Sequence, residues 1–359
     1  MKGITKGIVF ILLLFLTSFF GSVVFLFPFL PLLCFRLTEK TGKWIMEKFI
    51  FMWKLFAVAL YEVMIGIKIK VVGEKLLDTH QNLLLIMNHR TRLDWLFLMS
   101  YQIRHASLQQ YVISLKALLK KIPGPGWAMQ CGAFLFLQRK WETDSAWITK
   151  CVEYFHRVGH KPQLLFFPEG TDLTKQTKER SDVFAEKNGL QKYSFVLHPR
   201  TTGFIHMISQ MRKNNVIDGI LDVTVAYPKY ILQNEGDIIH GRFPEEIHFN
   251  INYHNITDIP QNTEKLGEWC QQTWLEKENK LNSYYEKKQF NEKDQELKYD
   301  HGALTRYLYM AILFWSFFLI FVFYSLLYVC FFRWYCFIAV VTFMVIQNTI
   351  GGVDNLMFS

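Results

Sequence analysis

Two long uncharged apolar runs constrain this chain of 359 residues more than any other feature. Residues 7–33 and residues 307–332 contain no charged side chain. A bilayer core is about 30 Å thick, and about 20 apolar helical residues cross it. Both runs exceed that length, so the sequence predicts a multi-pass integral membrane protein. A secretory signal is the alternative for the first run, because Lys2 and Lys6 precede it, but the apolar region of a signal is only about 7–15 residues long.

Two further apolar segments are less uniform. Residues 50–67 carry Lys54 and Glu62, so this segment either crosses the membrane or lies along the interface with its charges among the lipid headgroups. Residues 334–352 are uncharged and follow the second long run after a single Arg333. This arrangement predicts a tight C-terminal membrane hairpin.

The composition of the chain divides it into three parts. We expect N-terminal membrane segments in residues 1–70, one globular domain in residues 71–300 and the C-terminal hairpin in residues 301–359. The formal charge of +9 favours contact with anionic headgroups and phosphates. Nucleic acid is the weaker interpretation, because the chain lacks zinc-finger spacing, basic-zipper heptads and an aromatic RNA-binding signature. Six scattered cysteines without a CxxC pair argue against a zinc site and against a disulfide framework.

Short apolar runs in the globular part end at Gly, Pro or charge, as buried strands do. These runs are Leu83 to Met87, Phe134 to Leu137, Leu164 to Phe167 and Val223 to Tyr227. Helical patterns separate them, for example at 95–103 and 147–158. The sequence therefore predicts an α/β fold, a sheet flanked by helices, with ligand-binding residues at the strand ends. The charge-rich stretch at 276–298 predicts an exposed helix and a linker to the hairpin.

A candidate active site follows the first of these strands. Asn88 and His89 come directly after Met87, and four residues separate His89 from Asp94. Side chains five positions apart on one helix lie on different faces, so this pair cannot meet in mid-helix. Thr91 and Asp94 before an apolar stretch form a capping-box pattern, which predicts a helix that begins at Thr91. His89 would then lie in the preceding turn, within reach of the carboxylate.

The spacing alone leaves two interpretations of this pair open. In the structural one, Asp94 caps the helix and His89 is a satisfied turn residue. In the catalytic one, Asp94 fixes the tautomer of His89 and stabilises its protonated form, while the other ring nitrogen takes a proton from a substrate hydroxyl. The helix N-terminus nearby disfavours imidazolium and would welcome a phosphate.

A second polar turn, Pro168-Glu169-Gly170-Thr171-Asp172, follows another of the predicted strands. Its glycine lets backbone amides approach a ligand closely, although such a sequence is also an ordinary surface turn. We expect two or three of seven basic residues nearby to meet a phosphate. The seven are Arg90, Arg92, Lys116, Lys120, Lys121, Arg139 and Lys140.

Taken in order, these motifs resemble those of the glycerolipid acyltransferases, the membrane-bound family that includes the 1-acylglycerol-3-phosphate acyltransferases. The matching segments are the HX4D motif at 88–94, Phe-Leu-Gln-Arg at 136–139, Phe-Pro-Glu-Gly-Thr at 167–171 and Pro199. Segments 88–95, 184–193 and 197–204 narrow the resemblance to the lysocardiolipin acyltransferase branch. Two positions depart from the pattern, because Asp172 replaces the usual Arg and Ala133 stands where many members have Gly.

The resemblance implies acyl transfer from acyl-coenzyme A to the free hydroxyl of a lysophospholipid at the endoplasmic reticulum membrane. Lysocardiolipin, lysophosphatidylinositol and lysophosphatidylglycerol are the acceptors it suggests, in phospholipid remodelling. His89 would be the general base and Asp94 its partner, with no covalent acyl-enzyme, no bound cofactor and no metal.

The resemblance also implies a binding site for the acceptor. The turn formed by Glu169, Gly170 and Thr171 would bind its phosphate-bearing part. An acid at position 172 would repel a phosphate, so further contacts are expected from three basic residues. These are Arg139, Lys116 and Arg200.

Other functions fit the same motifs. A lysophosphatidate acyltransferase is the nearest enzyme, and Asp172 counts modestly against it. A coenzyme A-independent phospholipid transacylase would use the same His and Asp, and only its donor would differ. A lipid-binding membrane scaffold is the non-enzymatic alternative, which the intact pair of His89 and Asp94 disfavours.

Overall fold

The computed structural model describes residues 3–291 and 295–358. Its strands are β1 (Lys68–Gly73), β2 (Leu83–Met87), β3 (Tyr111–Lys116), β4 (Leu135–Leu137), β5 (Gln163–Phe166), β6 (Gly219–Ala226) and β7 (Glu246–Asn255). They form one mixed sheet in the order β1-β7-β6-β2-β5-β3-β4. The neighbours β6, β2, β5, β3 and β4 run parallel, so their carboxyl ends meet at one edge, the carboxyl edge. β7 runs antiparallel to β6 and parallel to β1.

Helices surround this sheet. They are α1 (Gly3–Gly21), α2 (Glu39–Ala59), α3 (Asp94–Phe97), α4 (Met99–His105), α5 (Pro125–Cys131), α6 (Trp141–Val158), α7 (Lys175–Lys187), α8 (Thr201–Lys213), α9 (Glu235–Ile239), α10 (Thr263–Lys287), α11 (His301–Tyr328), α12 (Cys330–Thr349) and α13 (Val353–Met357). A π-helical segment, Leu60–Ile65, extends α2. A π-helical and a 3-10 segment extend α1 to Cys34. The predicted α/β fold with flanking helices is confirmed.

The strands predicted from unbroken apolar runs lie in the buried part of the sheet. Every side chain of β2 and β6 is buried, because both faces of parallel strands are covered in such folds. The other two predicted runs contain β4 and most of β5. Three strands, β1, β3 and β7, were not predicted. β7 alternates apolar and polar residues from Glu246 to Asn255, so it has no unbroken apolar run.

Three helical segments are long and apolar enough to cross a membrane: Gly3–Cys34, His301–Tyr328 and Cys330–Thr349. They indicate a membrane protein, as predicted from the N-terminal and C-terminal runs. The break in the C-terminal pair lies at Val329, where the backbone is extended, and not at Arg333. That residue belongs to the first turn of α12. Counting uncharged residues cannot place a turn that contains neither Gly nor Pro.

The segment at 50–67 packs inside the protein. Its run from Ala57 to Tyr61 is almost completely buried. The ammonium of Lys54 donates to two backbone carbonyls, and Glu62 pairs with Arg104. Lys54 and Glu62, which an interfacial segment would place among lipid headgroups, therefore have partners within the protein.

The chain after α12 returns to the globular domain, which the predicted boundary at 301–359 did not anticipate. The carboxylate of Asp354 is fully buried and lies 2.9 Å from the ammonium of Lys120. Arg157 donates to the carbonyl of Met357, and the ring of Phe358 packs between Trp147 and Tyr154. Since Lys120 follows β3, the C-terminal helix α13 braces the loop at the end of that strand.

Helix α10 directs two of its charged side chains inward. Lys277 is 1% exposed and pairs with a buried aspartate of β6. Glu278 accepts hydrogen bonds from three successive backbone amides at 194–196. The prediction of an exposed helix at 276–298 is therefore wrong for these residues. Residues 292–294 of that stretch lie outside the described residues.

Candidate active site

The polar motifs converge at the carboxyl edge of the sheet. His89 follows β2, Glu169 follows the neighbouring β5, and Tyr227 follows β6 on the other side of β2. The side chain of Asn88 fixes the end of β2 to β6, because it donates to the carbonyl of Val225 and accepts from its amide. In α/β sheets, ligands bind at the carboxyl ends of the strands.

His89 and Asp94 form the predicted pair. Nδ1 of the imidazole lies 3.0 Å from Oδ2 of the carboxylate, and the ring stacks on Phe167 with the centroids 4.1 Å apart. The side chain of Asp94 is fully buried, whereas the side chain of His89 is 16% exposed. Within the described residues, Nε2 of His89 makes no hydrogen bond. The ring is therefore held at one nitrogen and open at the other, as a general base requires.

Asp94 is positioned by the loop that precedes α3. Oδ2 accepts from the amides of Arg90 and Thr91 at 2.6 and 2.8 Å, and Oδ1 accepts from the Thr91 hydroxyl at 3.2 Å. The capping pattern predicted that the helix begins at Thr91, but it begins at Asp94. The carboxylate thus bonds backward to the loop amides, and this geometry also brings it to the imidazole.

Tyr227 is a site residue that sequence reasoning missed. Its hydroxyl donates to Oδ1 of Asp94 at 2.5 Å, and its side chain is buried. Burial, followed by the charge of Asp94, raises the pKa of Tyr227 well above its usual value. The phenol therefore stays a donor to the carboxylate. The only signal in the sequence was a tyrosine at the end of a buried strand before Pro228.

We expect Tyr227→Phe to lower kcat about tenfold and to leave the KM for the acceptor unchanged. The change removes one hydrogen bond to a buried charge, worth about 1.5–3 kcal/mol, and only part of that is expressed in the transition state. Tyr284→Phe is the matched control, because Tyr284 hydrogen bonds His248 outside the site at 2.9 Å. Equal kcat in both variants would remove Tyr227 from the positioning of Asp94.

Glu169 lies behind the imidazole with its carboxylate buried at 3% exposure. Oε1 accepts from Nε1 of Trp274 at 3.1 Å and from the amide of His89 at 3.3 Å. Burial raises the pKa of Glu169 to about 7. Its role in binding substrate stays a prediction. Its contacts indicate that Glu169 supports the loop that carries His89.

Glu169→Gln should make stability less dependent on pH. In the wild type the unfolded carboxyl ionises near 4.5 and the folded one only near 7, so the folded state loses stability as pH rises through that window. The total is roughly 3 kcal/mol at 1.36 kcal/mol per pKa unit. Glutamine keeps the accepting oxygen and has no charge, so the decline should shrink. Melting temperatures of both proteins from pH 5 to 8 in detergent measure this, and parallel curves would contradict it.

The glycine of the second motif lies beneath Arg200. Gly170 has a left-handed backbone with φ of 71°, and a side-chain atom added there would lie 3.6–4.0 Å from the Arg200 side chain. The amide of Arg200 donates to the carbonyl of Pro168 at 2.8 Å. The guanidinium has no hydrogen bond or ion pair in the described part of the chain. Of Arg139, Lys116 and Arg200, the three basic residues expected to contact the acceptor, Arg200 is the one that the structure brings to Gly170.

The departure at position 172 is balanced by a neighbouring cation. Oδ2 of Asp172 lies 3.6 Å from Nε of Arg92. The hydroxyl of Thr171 also points to the Asp172 carboxylate, at 3.3 Å. The repulsion of phosphate that the sequence predicted is therefore reduced, since the carboxylate is paired.

Lys116 and Arg139 end the neighbouring strands β3 and β4 at the same edge, and both are exposed. With strands about 4.8 Å apart, they lie roughly 10 and 14 Å along the edge from β2. Arg139 and Ala133 on either side of β4 both have a left-handed backbone, with φ of 63° and 59°. Glycine is favoured in that conformation. The left-handed backbone at Ala133 therefore explains why a glycine would suit this position. The described residues contain no group of three or more His, Cys, Asp or Glu arranged for a metal ion.

Comparisons with known proteins identify the family of this chain. A family model described as acyltransferase matches residues 68–228, and one described as acyltransferase C-terminus matches residues 237–315. The chain is 43% identical to lysocardiolipin acyltransferase 1 of Gallus gallus over 97% of its own length and 93% of that protein. It is 37% identical to lysophosphatidylinositol acyltransferase 10 of Caenorhabditis elegans, over 77% of the chain and 71% of the relative.

Among solved structures, PlsC, the 1-acyl-sn-glycerophosphate acyltransferase from Thermotoga maritima, aligns with 78% of this chain and 97% of its own, with a TM-score of 0.47 and 14% identity. The first family model spans His89 to Tyr227, and the second contains α10 with Trp274. The family models and the identity of 43% over 97% of the chain show that it is a member of the acyltransferase family that includes the lysocardiolipin acyltransferases.

Proposed function

We propose that this protein transfers an acyl chain from acyl-coenzyme A to the free hydroxyl of a lysophospholipid, in phospholipid remodelling at the endoplasmic reticulum membrane. The observation that carries the proposal is the pair of His89 and Asp94, with one imidazole nitrogen held by a buried carboxylate and the other open at the carboxyl edge. Lysocardiolipin and lysophosphatidylinositol, named for relatives of the chain, are the first acceptors to test.

The chemistry needs no nucleophile from the enzyme. Nε2 of His89 takes the proton of the acceptor hydroxyl as its oxygen attacks the thioester carbonyl. The buried charge of Asp94 stabilises the imidazolium that forms. When the carbon–sulfur bond breaks, the imidazolium returns the proton to the thiolate of coenzyme A. An ester and a free thiol are the products, and His89 is neutral again.

The phosphate of the acceptor would lie over Gly170. The guanidinium of Arg200 crosses this turn without a partner in the described residues, and Arg is suited to bidentate contacts with phosphate. A phosphate there would lie beside β5, one strand from His89 at the end of β2. Neighbouring strands are about 4.8 Å apart, which is comparable to the distance between the phosphate of a lysolipid and its free glycerol hydroxyl. Lys116 and Arg139 lie further along the edge and would meet the outer part of a larger headgroup.

The test is a panel of donors and acceptors with full-length protein in detergent. Labelled oleoyl-coenzyme A or a labelled phosphatidylcholine is offered with lysocardiolipin, lysophosphatidylinositol, lysophosphatidylglycerol or lysophosphatidate. Transfer from the coenzyme A donor to the first three acceptors is the expected result. Transfer only from the phospholipid would indicate a transacylase, preference for lysophosphatidate would change the acceptor class, and no transfer from either donor would indicate a lipid-binding scaffold.

Arg200→Gln tests the acceptor site within the same assay. We expect the KM for lysophospholipid to rise about tenfold while kcat changes little, because a phosphate contact is made in both the ground state and the transition state. Lys213→Gln, at the opposite end of α8, removes the same charge without touching the turn. An unchanged KM in Arg200→Gln would place the phosphate elsewhere.

A further inference from the structure

A polar cavity of about 510 Å³ lies between the end of the Leu60–Ile65 segment, the start of β1 and the start of α11. Its polar lining includes Lys68, Arg104, Tyr299, His301 and Thr305. β1 is three strands from β2 in the sheet, which is roughly 14 Å. The cavity is therefore separate from His89 and from the turn at Gly170, which lies on the other side of β2.

The charge of this lining is positive. Arg104 donates to both carboxylate oxygens of Glu62, at 2.8 and 2.6 Å, and their side chains are only 5% and 10% exposed. The guanidinium also lies 4.6 Å from the centroid of the Tyr299 ring. This buried pair neutralises the one carboxylate of the lining. Lys68 is exposed and has no carboxylate within 4 Å in the described ranges. Glu245 lies close enough to interact with its charge but is paired with Lys229, so Lys68 can still attract an anion.

The cavity adjoins an apolar helix surface. α11 begins at His301 and is a candidate membrane span. Leu304 and Leu308, one helical turn apart and buried, continue the lining along α11. Tyr309, the residue after Leu308, also lines the cavity. Tyrosines are enriched where helices cross the membrane interface. Tyr309 and Leu313, one turn apart on α11, are more than half exposed, so a ligand with an anionic head at Lys68 would have an apolar surface for an alkyl chain along α11.

We infer that this cavity binds a phospholipid with an anionic phosphate headgroup, at a second lipid site separate from the catalytic one. The headgroup meets Lys68 and His301, the hydroxyls of Tyr299 and Thr305 supply further hydrogen bonds, and an acyl chain lies along Tyr309 and Leu313. The buried pair of Glu62 and Arg104 keeps the floor of the cavity rigid.

Native mass spectrometry of the full-length protein in non-ionic detergent tests this inference. Short-chain phosphatidylglycerol, short-chain phosphatidylcholine and inorganic phosphate are the probes. They are titrated into the wild type, the double variant Lys68→Gln with His301→Gln, and Lys265→Gln. The last variant removes an exposed charge from α10, away from the cavity. Both residues of the double variant are exposed, and its melting temperature without lipid should match that of the wild type.

We expect the wild type and Lys265→Gln to bind one more molecule of phosphatidylglycerol than the double variant, since lipid held at the catalytic site persists in all three proteins. Phosphatidylcholine should bind the wild type at least tenfold more weakly than phosphatidylglycerol. Undiminished binding of phosphatidylglycerol to the double variant would overturn the site. Equal binding of both lipids would overturn the recognition of an anion, and inorganic phosphate binding as tightly as the lipid would replace the lipid by a free phosphate. None of these outcomes depends on acyl transfer, so the result stands apart from the proposed reaction.

Discussion

His89→Ala should lower kcat about 1,000-fold and leave acceptor binding nearly intact. General-base catalysis contributes about 10²–10⁴ to a rate, and Nε2 of His89 is the open basic atom of the pair. Phe167, against which the ring stacks, and Asp94 stay in place when the imidazole is removed. The measurement is transfer from labelled acyl-coenzyme A by purified protein, together with binding of a labelled lysophospholipid.

Loss of folding is the competing explanation for a dead variant. His206→Ala is the matched control, because His206 is half-buried and its ring bonds the carbonyl of Ser145 at 2.9 Å outside the site. Both variants should keep the melting temperature of the wild type to within a few degrees. If His89→Ala retains activity to within a few-fold, another group is the base, and the proposed mechanism is wrong.

The sequence predicted the contact between His89 and Asp94 better than it predicted the residues that support the pair. The polar residues of the HX4D motif are close in the chain and follow an unbroken apolar strand, so their meeting could be inferred from local rules. Tyr227 reaches Asp94 from 133 positions away, and Trp274 reaches Glu169 from 105. No local pattern reports such contacts, because they depend on the order of strands in the sheet and on the docking of α10.

Charged residues misled the sequence analysis wherever they were buried with a partner. Lys277 was assigned to a solvated face, and Lys54 and Glu62 were placed among headgroups in one of the two interpretations of their segment, which are the usual places for such residues. In the structure each has an opposite charge or a backbone carbonyl, and those contacts compensate part of the free energy of desolvation. A partner distant in the chain cannot be recognised from composition or periodicity.

The second large effect is expected at Asp94, where two substitutions should differ. In Asp94→Asn, the amide oxygen can occupy the position of Oδ2 and accept from His89 and from the amides of Arg90 and Thr91. The amide nitrogen would then face the hydroxyls of Tyr227 and Thr91, which can rotate to accept. The loop and the tautomer of His89 are preserved, and only the negative charge is lost.

We therefore expect Asp94→Asn to lower kcat about 100-fold, less than His89→Ala, with a modest loss of stability. The reduction corresponds to about 2.7 kcal/mol of lost stabilisation of the imidazolium in the transition state. Asp94→Ala should instead lower the melting temperature markedly, because two buried backbone amides lose their acceptor and each costs about 1–3 kcal/mol. Steady-state kinetics and thermal unfolding of the two variants separate the charge from the scaffold.

Asp144→Asn is the control for the stability measurement. Its nearly buried carboxylate accepts from the amide of Gln138 at Oδ1 and from the amide of Lys140 at Oδ2, at 2.8 and 3.1 Å. An asparagine there keeps only one of the two acceptors, whereas at Asp94 both amides bond one oxygen, so Asp144→Asn should lose more stability than Asp94→Asn. Wild-type activity in Asp94→Asn would show that the charge has no part in catalysis. Activity as low as in His89→Ala, in a folded protein, would show that the carboxylate does more than stabilise the imidazolium, since the asparagine preserves every other contact of the pair.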